Sequence, residues 1–188
     1  MEYMGNSAWW NERFKSRELE ILQHEWRLEL DAEYFKGMNR VLDLACGDGR
    51  NSIYLAKKGY EVYAVDFSSE AINRLKYFSK EAGVMITTKM VDVTSPWELS
   101  QLDCKVDAII VNHYRPSPEV YPVLSSLLCD NGVLWVNGFA SVPEDNPNIK
   151  ENDILQENDF DLLLDCDLLS KSQYEIGQRK FVRYIWKK

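Results

Sequence analysis

The sequence has no run of about 18 apolar residues, the length at which a helix crosses a bilayer, so no membrane span is expected. It has four cysteines, Cys46, Cys104, Cys129 and Cys166, and no two of them form a Cys-x-x-Cys pair. Only two histidines, His24 and His113, could join them. Neither a zinc site nor a disulfide framework is expected, no metal is assigned, and reduced thiols fit a cytoplasmic protein. The first ten residues lack a basic start followed by an apolar stretch, so a secretory leader is not expected. Positive charge is also scarce: 22 basic residues stand against 30 acidic ones, a net charge of −8. A protein that grips long nucleic acid by its phosphates carries a basic stripe. Here only the pairs Lys57–Lys58 and Lys187–Lys188 stand out, at expected helix and chain ends. Nucleic acid is not an expected partner, a small molecule is, and oligomeric state is left open.

What is present suits one globular domain spanning residues 1–188, with 45% hydrophobic residues available for a core. Residues 1–36 read as an N-terminal helical cap, 37–139 as a core of alternating elements, and 140–188 as a loop and a hairpin. In the cap, Leu19, Leu22, Trp26 and Leu30 recur at helical spacing over residues 17–35, and Gly37 ends the pattern. Strands are expected at 40–45, 61–65, 85–91, 108–111 and 133–139. Helices are expected at 51–58, 69–82, 96–102 and 118–128. Such alternation implies a doubly wound, mostly parallel seven-stranded α/β sheet with helices on both faces. Residues 162–176 and 180–187, separated by Gly177 and Gln178, read as an antiparallel hairpin at the sheet edge, although 162–169 could begin as helix. Residues 140–153 form the one long loop.

Chemistry is concentrated in Val41-Leu-Asp-Leu-Ala-Cys-Gly-Asp-Gly-Arg-Asn51, where the first strand meets the next helix. In open α/β sheets this carboxyl edge is where ligands bind. Gly47 and Gly49 permit a sharp turn and close approach, and N–H groups at the helix start suit a carboxylate or phosphate. A dinucleotide fingerprint needs a third glycine where this chain has Ser52, and a pyrophosphate is poorly served by Asp43 and Asp48. That acidity favours a cofactor with a cationic end, such as the sulfonium and ammonium of S-adenosylmethionine. Asp66, ending the second strand, suits a ribose. Asp92, after the third, suits an adenine amino group with Val93 and Phe67 around the ring, or else is a turn aspartate beside two core residues.

Residues 41–68 resemble the cofactor-binding half of class I S-adenosylmethionine-dependent methyltransferases, and their wording is most similar to the tellurite-resistance (TehB-like) branch. Trp10-Asn-Glu-Arg-Phe14 and Asn112-His-Tyr-Arg-Pro116 share that similarity. The resemblance implies a Rossmann-like fold and S-adenosylmethionine as cofactor. It implies that the backbone of Ala45, Cys46, Gly47 and Gly49, with Asp43 and Asn51 beside it, holds the methionine part. Asp66 would hold the ribose, and Asp92 with Val93 and Phe67 the adenine. Asn112 would lie by the transferred methyl. Trp10 and Arg13 would close over the cofactor, Arg13 facing its carboxylate; read plainly, they are a helix anchor and a surface charge. Ala45 departs from the glycine common in the family.

Methyl transfer is an in-line displacement in which a protein chiefly holds a nucleophile near the methyl and excludes water. An oxygen or nitrogen acceptor also needs a base, and histidine as a residue type suits that task. His113 is the candidate, Tyr114 would orient an acceptor, and Arg115 would bind an anionic one; each can also be an ordinary loop residue. His24 reads as a surface or packing residue. Trp9, Trp10, Phe14, Tyr114 and Phe139 could line an apolar pocket, the first two as a lid, while Trp135 reads as core. Two other functions stay open: a non-catalytic scaffold that binds the cofactor, and an NAD(P)-dependent oxidoreductase.

Overall fold

Residues 40–44 show no polar alternation, and they form a strand, β1 (Arg40–Leu44), with its last four residues buried. A strand covered on both faces reads this way because neither side meets water. The later strands are β2 (Glu61–Asp66), β3 (Thr87–Met90), β4 (Val106–Asn112), β5 (Leu128–Phe139), β6 (Asp167–Ile176) and β7 (Arg179–Lys187). The computed structural model describes residues 6–188 and orders them as β3-β2-β1-β4-β5-β7-β6. The pairs from β3 through β5 are parallel, and β7 joins β5 and β6 antiparallel. This is a Rossmann-like sheet whose strand order reverses between β1 and β4, the place where such sheets bind ligands.

The two-residue period of each strand divides the core between the two faces. On one face Leu42, Leu44, Ile109, Val111, Leu134 and Val136 meet Leu99, Tyr121, Leu124 and Phe160. On the other face Val41, Ala108, Ile110, Val133 and Trp135 meet Leu28, Phe35 and Leu55. The helices around the sheet are α1 (Ser7–Ser16), α2 (Arg27–Leu30), α3 (Arg50–Lys57), α4 (Ser69–Glu81), α5 (Pro96–Ser100) and α6 (Tyr121–Leu127). Trp135 is fully buried, as expected, and its Nε1 donates to Asp31 Oδ2 at 2.8 Å. Arg183 Nε reaches the same oxygen at 3.0 Å, pinning the N-terminal segment to the middle of the sheet.

The cap corrects the sequence reading. In place of one helix over 17–35, α1 ends before that span, residues 17–26 form an extended strap, and only the short α2 and a 3-10 turn, Ala32–Phe35, are helical. Leu19, Leu22, Trp26 and Leu30, the expected buried stripe, are 62%, 50%, 39% and 60% exposed. The reason lies in the strap's carbonyls. Those of Arg17, Glu18 and Glu20 accept from the Arg74 guanidinium on α4, and that of Gln23 accepts from Arg50. Backbone acceptors satisfied by distant side chains no longer call for a helix.

The tail is a hairpin, as expected, turning at Gly177 (φ +60°), with β7 inside and β6 at the edge. Its first strand begins at Asp167 rather than near 162, because Leu163 turns inward to the core and Ser125 Oγ donates to Asp165. Residues 140–153 are a loop ending in a short turn of 3-10 helix, Glu151–Asp153. No helix among the described residues is long and apolar enough to cross a membrane.

Candidate active site

Leaving β1, the chain makes three left-handed residues in five: Ala45 (φ +57°), Gly47 (+55°) and Gly49 (+88°). At Gly49 the space is missing as well, since a Cβ would sit 2.0 Å from Leu75 Cδ1 on α4. Gly49 therefore lets α3 and α4 approach, and it is the one candidate site residue that does not line the cavity described below. Gly47 sits over the ring of Phe14 from α1. Helix α1 is itself held by Asn11, whose Oδ1 accepts from Ser68 Oγ at 2.7 Å and from the N–H of Glu70 at 3.3 Å. The Trp10–Phe14 motif is thus a clasp that ties the cap to the turn after β2.

Asp66 ends β2 with both oxygens engaged: Oδ2 accepts from the N–H of Gly47 and Oδ1 from that of Ser68, each at 2.9 Å. Burial pushes its carboxyl up, against the downward pull of the backbone N–H donors at Ser68, Gly47 and Phe67. Asp43 lies deeper and accepts from Ser52 Oγ at 2.5 Å, and burial pushes its carboxyl up to about 7. Ser52, where a dinucleotide enzyme would have glycine, is therefore a working hydrogen-bond donor. The Cys46 thiol, buried beside these carboxylates, is pushed well up by burial first and by Asp66 and Asp43 next, so it stays protonated.

Asp48 corrects part of the charge argument. Its carboxylate is taken by Arg74 at 3.3 Å and Arg17 at 3.6 Å, so it offers no free negative charge to a ligand. What remains is the pair Asp43 and Asp66, both buried and neither ion-paired among the described residues. Two buried carboxyls held above their ordinary range, at the mouth of a loop of left-handed residues, fit a ligand with a cationic end. A polyanion would be opposed there.

A cavity of about 1030 Å³ opens at the β1/β4 switch. Trp10, Arg13, Asp43, Ala45, Cys46, Gly47, Asn51, Asp66, Phe67, Asp92, Val93 and Asn112 line it, and His113, Tyr114 and Arg115 join them. Arg13 is exposed at the rim, its guanidinium 5.3 Å from the Trp9 ring centre and 5.7 Å from that of Trp10. Asp92 has the geometry of a turn aspartate, accepting from the N–H and hydroxyl of Thr94 at 2.9 and 2.7 Å. Asn51 Oδ1 accepts from the Glu25 N–H at 2.8 Å and so fastens the strap.

Asn112, at the end of β4, is oriented by a chain that the sequence did not disclose. Tyr174 Oη donates to Asn137 Oδ1 and Asn137 Nδ2 donates to Asn112 Oδ1, both at 2.9 Å. That chain spends the Asn112 oxygen and leaves its amide N–H₂ as the group to offer a ligand. Tyr114 Oη reaches the Val93 carbonyl at 3.3 Å. Arg115 lines the cavity and also anchors a loop: its Nε and Nη2 donate to Asp159 at 2.8 and 2.6 Å, and Nη1 donates to the Asn152 carbonyl at 3.2 Å. His113 stands at φ +56°, its N–H donating to the Asn137 carbonyl at 2.7 Å. Its ring lies 5.4 Å from those of Phe139 and Phe181. Its Nε2 lies 3.4 Å from Oε2 of Glu25, a buried strap residue with no signal in sequence, since it sat among the polar gaps of an expected helix. His24 stacks on Tyr54 and bonds Glu29, the packing role expected of it. Among the described residues no cluster suits a metal.

With this geometry in place, the comparisons with known proteins are specific. The family described as "Methyltransferase domain" matches residues 41–129. Residues 41–129 thus match a methyltransferase domain, and over a shorter stretch the chain is similar to TehB. TehB is by name an S-adenosylmethionine-dependent methyltransferase. YqeM of Bacillus subtilis (strain 168), a methyltransferase by name, is 31% identical over 136 residues, 65% of this chain and 52% of that protein. TehB of Haemophilus influenzae (strain 10810) is 38% identical over 56 residues, 30% of this chain and 20% of its own length. The crystal structure of TehB from Haemophilus influenzae superposes with a TM-score of 0.70 at 21% identity, covering 95% of this chain and 67% of that one. The tRNA 5-carboxymethoxyuridine methyltransferase of Escherichia coli (strain K12) is 31% identical over 99 residues, 50% of this chain and 38% of that enzyme. The chain spans about half the length of YqeM and less of the other two curated relatives.

Proposed function

We propose that this protein transfers a methyl group from S-adenosylmethionine to a small-molecule acceptor by in-line displacement. Bound S-adenosylmethionine supplies an activated methyl and a neutral sulfur leaving group. The single observation that carries the reading is the continuity of the cavity from Asp43 and Asp66 to His113. One end suits a cationic cofactor, and the other presents a nitrogen base beside apolar walls.

In this reading the N–H groups from Ala45 to Gly47 and the Asn112 amide hold the methionine part. Arg13, which forms no ion pair among the described residues, meets its carboxylate. Asp66 accepts from the ribose hydroxyls, and Asp92, Val93 and Phe67 surround the adenine. Asn51 acts indirectly, through the strap. His113 removes the acceptor's proton, and Tyr114 with Phe139 and Ile149 bounds the acceptor. A net charge of −8 favours a small acceptor over an RNA base. Of the arginines around the cavity, Arg17, Arg115 and Arg179 are already paired with Asp48, Asp159 and Asp145, which leaves little grip for phosphates.

Thermal unfolding with S-adenosylmethionine, S-adenosylhomocysteine, NAD or NADP tests the reading. A ligand at about a hundred times its Kd stabilises by about 2.7 kcal/mol, and for this chain length that is a rise of roughly 5–11 °C. The rise is expected with the first two ligands and is expected to vanish in Asp66→Ala. A rise with NAD or NADP alone would overturn it. With no rise from any ligand, the scaffold reading would have to be one without cofactor.

A further inference from the structure

We propose that Glu25 is the positioning residue of a histidine–carboxylate dyad that holds His113 protonated at Nε2, so that Nδ1 takes the proton of a weakly acidic hydroxyl on the acceptor. The inference rests on the methyltransferase reading above and narrows its acceptor to compounds bearing a phenol-like or enol-like O–H.

Three observations carry it. The first is burial. Nε2 of His113 is sealed from solvent and forms no hydrogen bond among the described residues; its one ion-pair neighbour there is Glu25 Oε2, 3.4 Å away, while about a third of the side chain (32%) is exposed and the residue lines the cavity. Among the described residues no hydrogen bond engages Nδ1, and only Nε2 of the two ring nitrogens is sealed and unpartnered, so the nitrogen open to the cavity is Nδ1 and the one facing Glu25 is Nε2. A carboxylate accepts hydrogen bonds and does not donate them, so the tautomer that satisfies the pair carries its hydrogen on Nε2.

The second is the holding of Glu25. It is 5% exposed and does not line the cavity. Its N–H donates to Asn51 Oδ1 at 2.8 Å, and its Oε1 lies 3.4 Å from the Arg27 N–H. Burial alone would raise its carboxyl, but the His113 imidazole, the Arg27 N–H and the charge of Arg50 outweigh burial and keep it below the ordinary range. The other groups packed here are Tyr174 from the hairpin, whose phenol burial and the Glu25 charge push up and keep neutral, and the uncharged Asn137, Phe139 and Phe181. Among the described residues Glu25 is the one carboxylate at ion-pair distance from the ring.

The third is the backbone. His113 occupies the left-handed region at φ +56°, a conformation that costs a non-glycine residue energy and persists where surrounding contacts hold it. Phe139, which lines the cavity beside the ring, offers an apolar aromatic surface that suits an aromatic or conjugated body carrying the hydroxyl. In the reaction the O–H bond breaks to His113 Nδ1 as the O–CH₃ bond forms. The methyl's C–S bond breaks with its electron pair left on the departing sulfur. The proton remains on the imidazolium, facing Glu25, until water removes it. The 3.4 Å contact shortens as that positive charge develops.

The chain's two histidines make the test direct. Long-range ¹H–¹⁵N spectra of the ¹⁵N-labelled protein show two imidazoles, assigned with His24→Gln. At a pH where His113 is neutral, the expected result is the Nε2–H tautomer in the native protein. Glu25→Gln should mix or invert the tautomers, and Glu25→Asp should restore them in part. Stabilisation by S-adenosylmethionine should be unchanged in both, because Glu25 is outside the cavity. With a phenolic acceptor in hand, Glu25→Gln should lower kcat about 10²-fold with KM little changed. An Nδ1–H tautomer in the native protein overturns the proposal even if a Glu25 variant fails to fold. So does a tautomer indifferent to Glu25→Gln. A failure of the cofactor itself to bind shows separately, as absent thermal stabilisation of the native protein, and strikes the methyltransferase reading instead.

Discussion

The two ends of the cavity are built in different ways. At the cofactor end, Asp43, Ala45, Gly47, Ser52 and Asp66 come from one β-α-β stretch, and their bonds to one another span at most 19 positions. At the acceptor end, Glu25, His113 and Phe139 come from three separate segments brought together by the folded sheet. A site made within one supersecondary unit is specified by local turn geometry. A site made between units depends on every contact that brings them together, and it can change its acceptor without disturbing the cofactor.

Substitutions can break that comparison. Gly49→Ala should have the largest effect. It places a Cβ 2.0 Å from Leu75 Cδ1 at φ +88°, and strain with overpacking should cost about 2–5 kcal/mol. Urea unfolding would show it, and cofactor stabilisation should fall with it because the loop is local to that end. Arg115→Ala leaves the buried Asp159 carboxylate unpaired, a loss of about 3 kcal/mol. Here cofactor stabilisation should survive, since the loss falls on the acceptor end; if both vanish together, the two ends are not independent.

Asp43→Asn sharpens the comparison through pH. The folded protein holds Asp43 protonated up to about pH 7, while the unfolded chain releases that proton near the ordinary carboxyl value. The folded state therefore binds more protons in the window from about pH 4 to about 7, and the group's contribution to stability falls as pH rises through it. Unfolding measured across that window should show Asp43→Asn gaining on the native protein up to about pH 7 and holding a constant lead above it. A flat difference would mean that Asp43 is ionised throughout. The smallest change should be Ala45→Gly. Relieving a left-handed alanine (φ +57°), less the extra freedom of the unfolded chain, should stabilise by about 0.5–1 kcal/mol.

The N-terminal cap shows where sequence patterns mislead. Leu19, Leu22, Trp26 and Leu30 have helical spacing, yet all four are exposed, because Arg74 and Arg50 take the strap's carbonyls. Nothing local to the strap marks that choice; the arginines that make it lie on α3 and α4. The same blindness hid Glu25. The charge of Asp48 was equally visible in sequence, but its cancellation by Arg17 and Arg74 was not.

The sequence by itself determined the alternation of strand and helix, the glycine turn after β1, and the carboxylates near the carboxyl ends of β1 and β2. These follow from period-two burial, from the φ values that glycine permits, and from where a strand's carboxyl end must point. Only the tertiary structure decided which charges stay unpaired, which nitrogen of His113 meets the cavity, and that Arg115 anchors a loop. Those outcomes depend on burial and partners brought from far along the chain, and both exist only once the sheet has assembled.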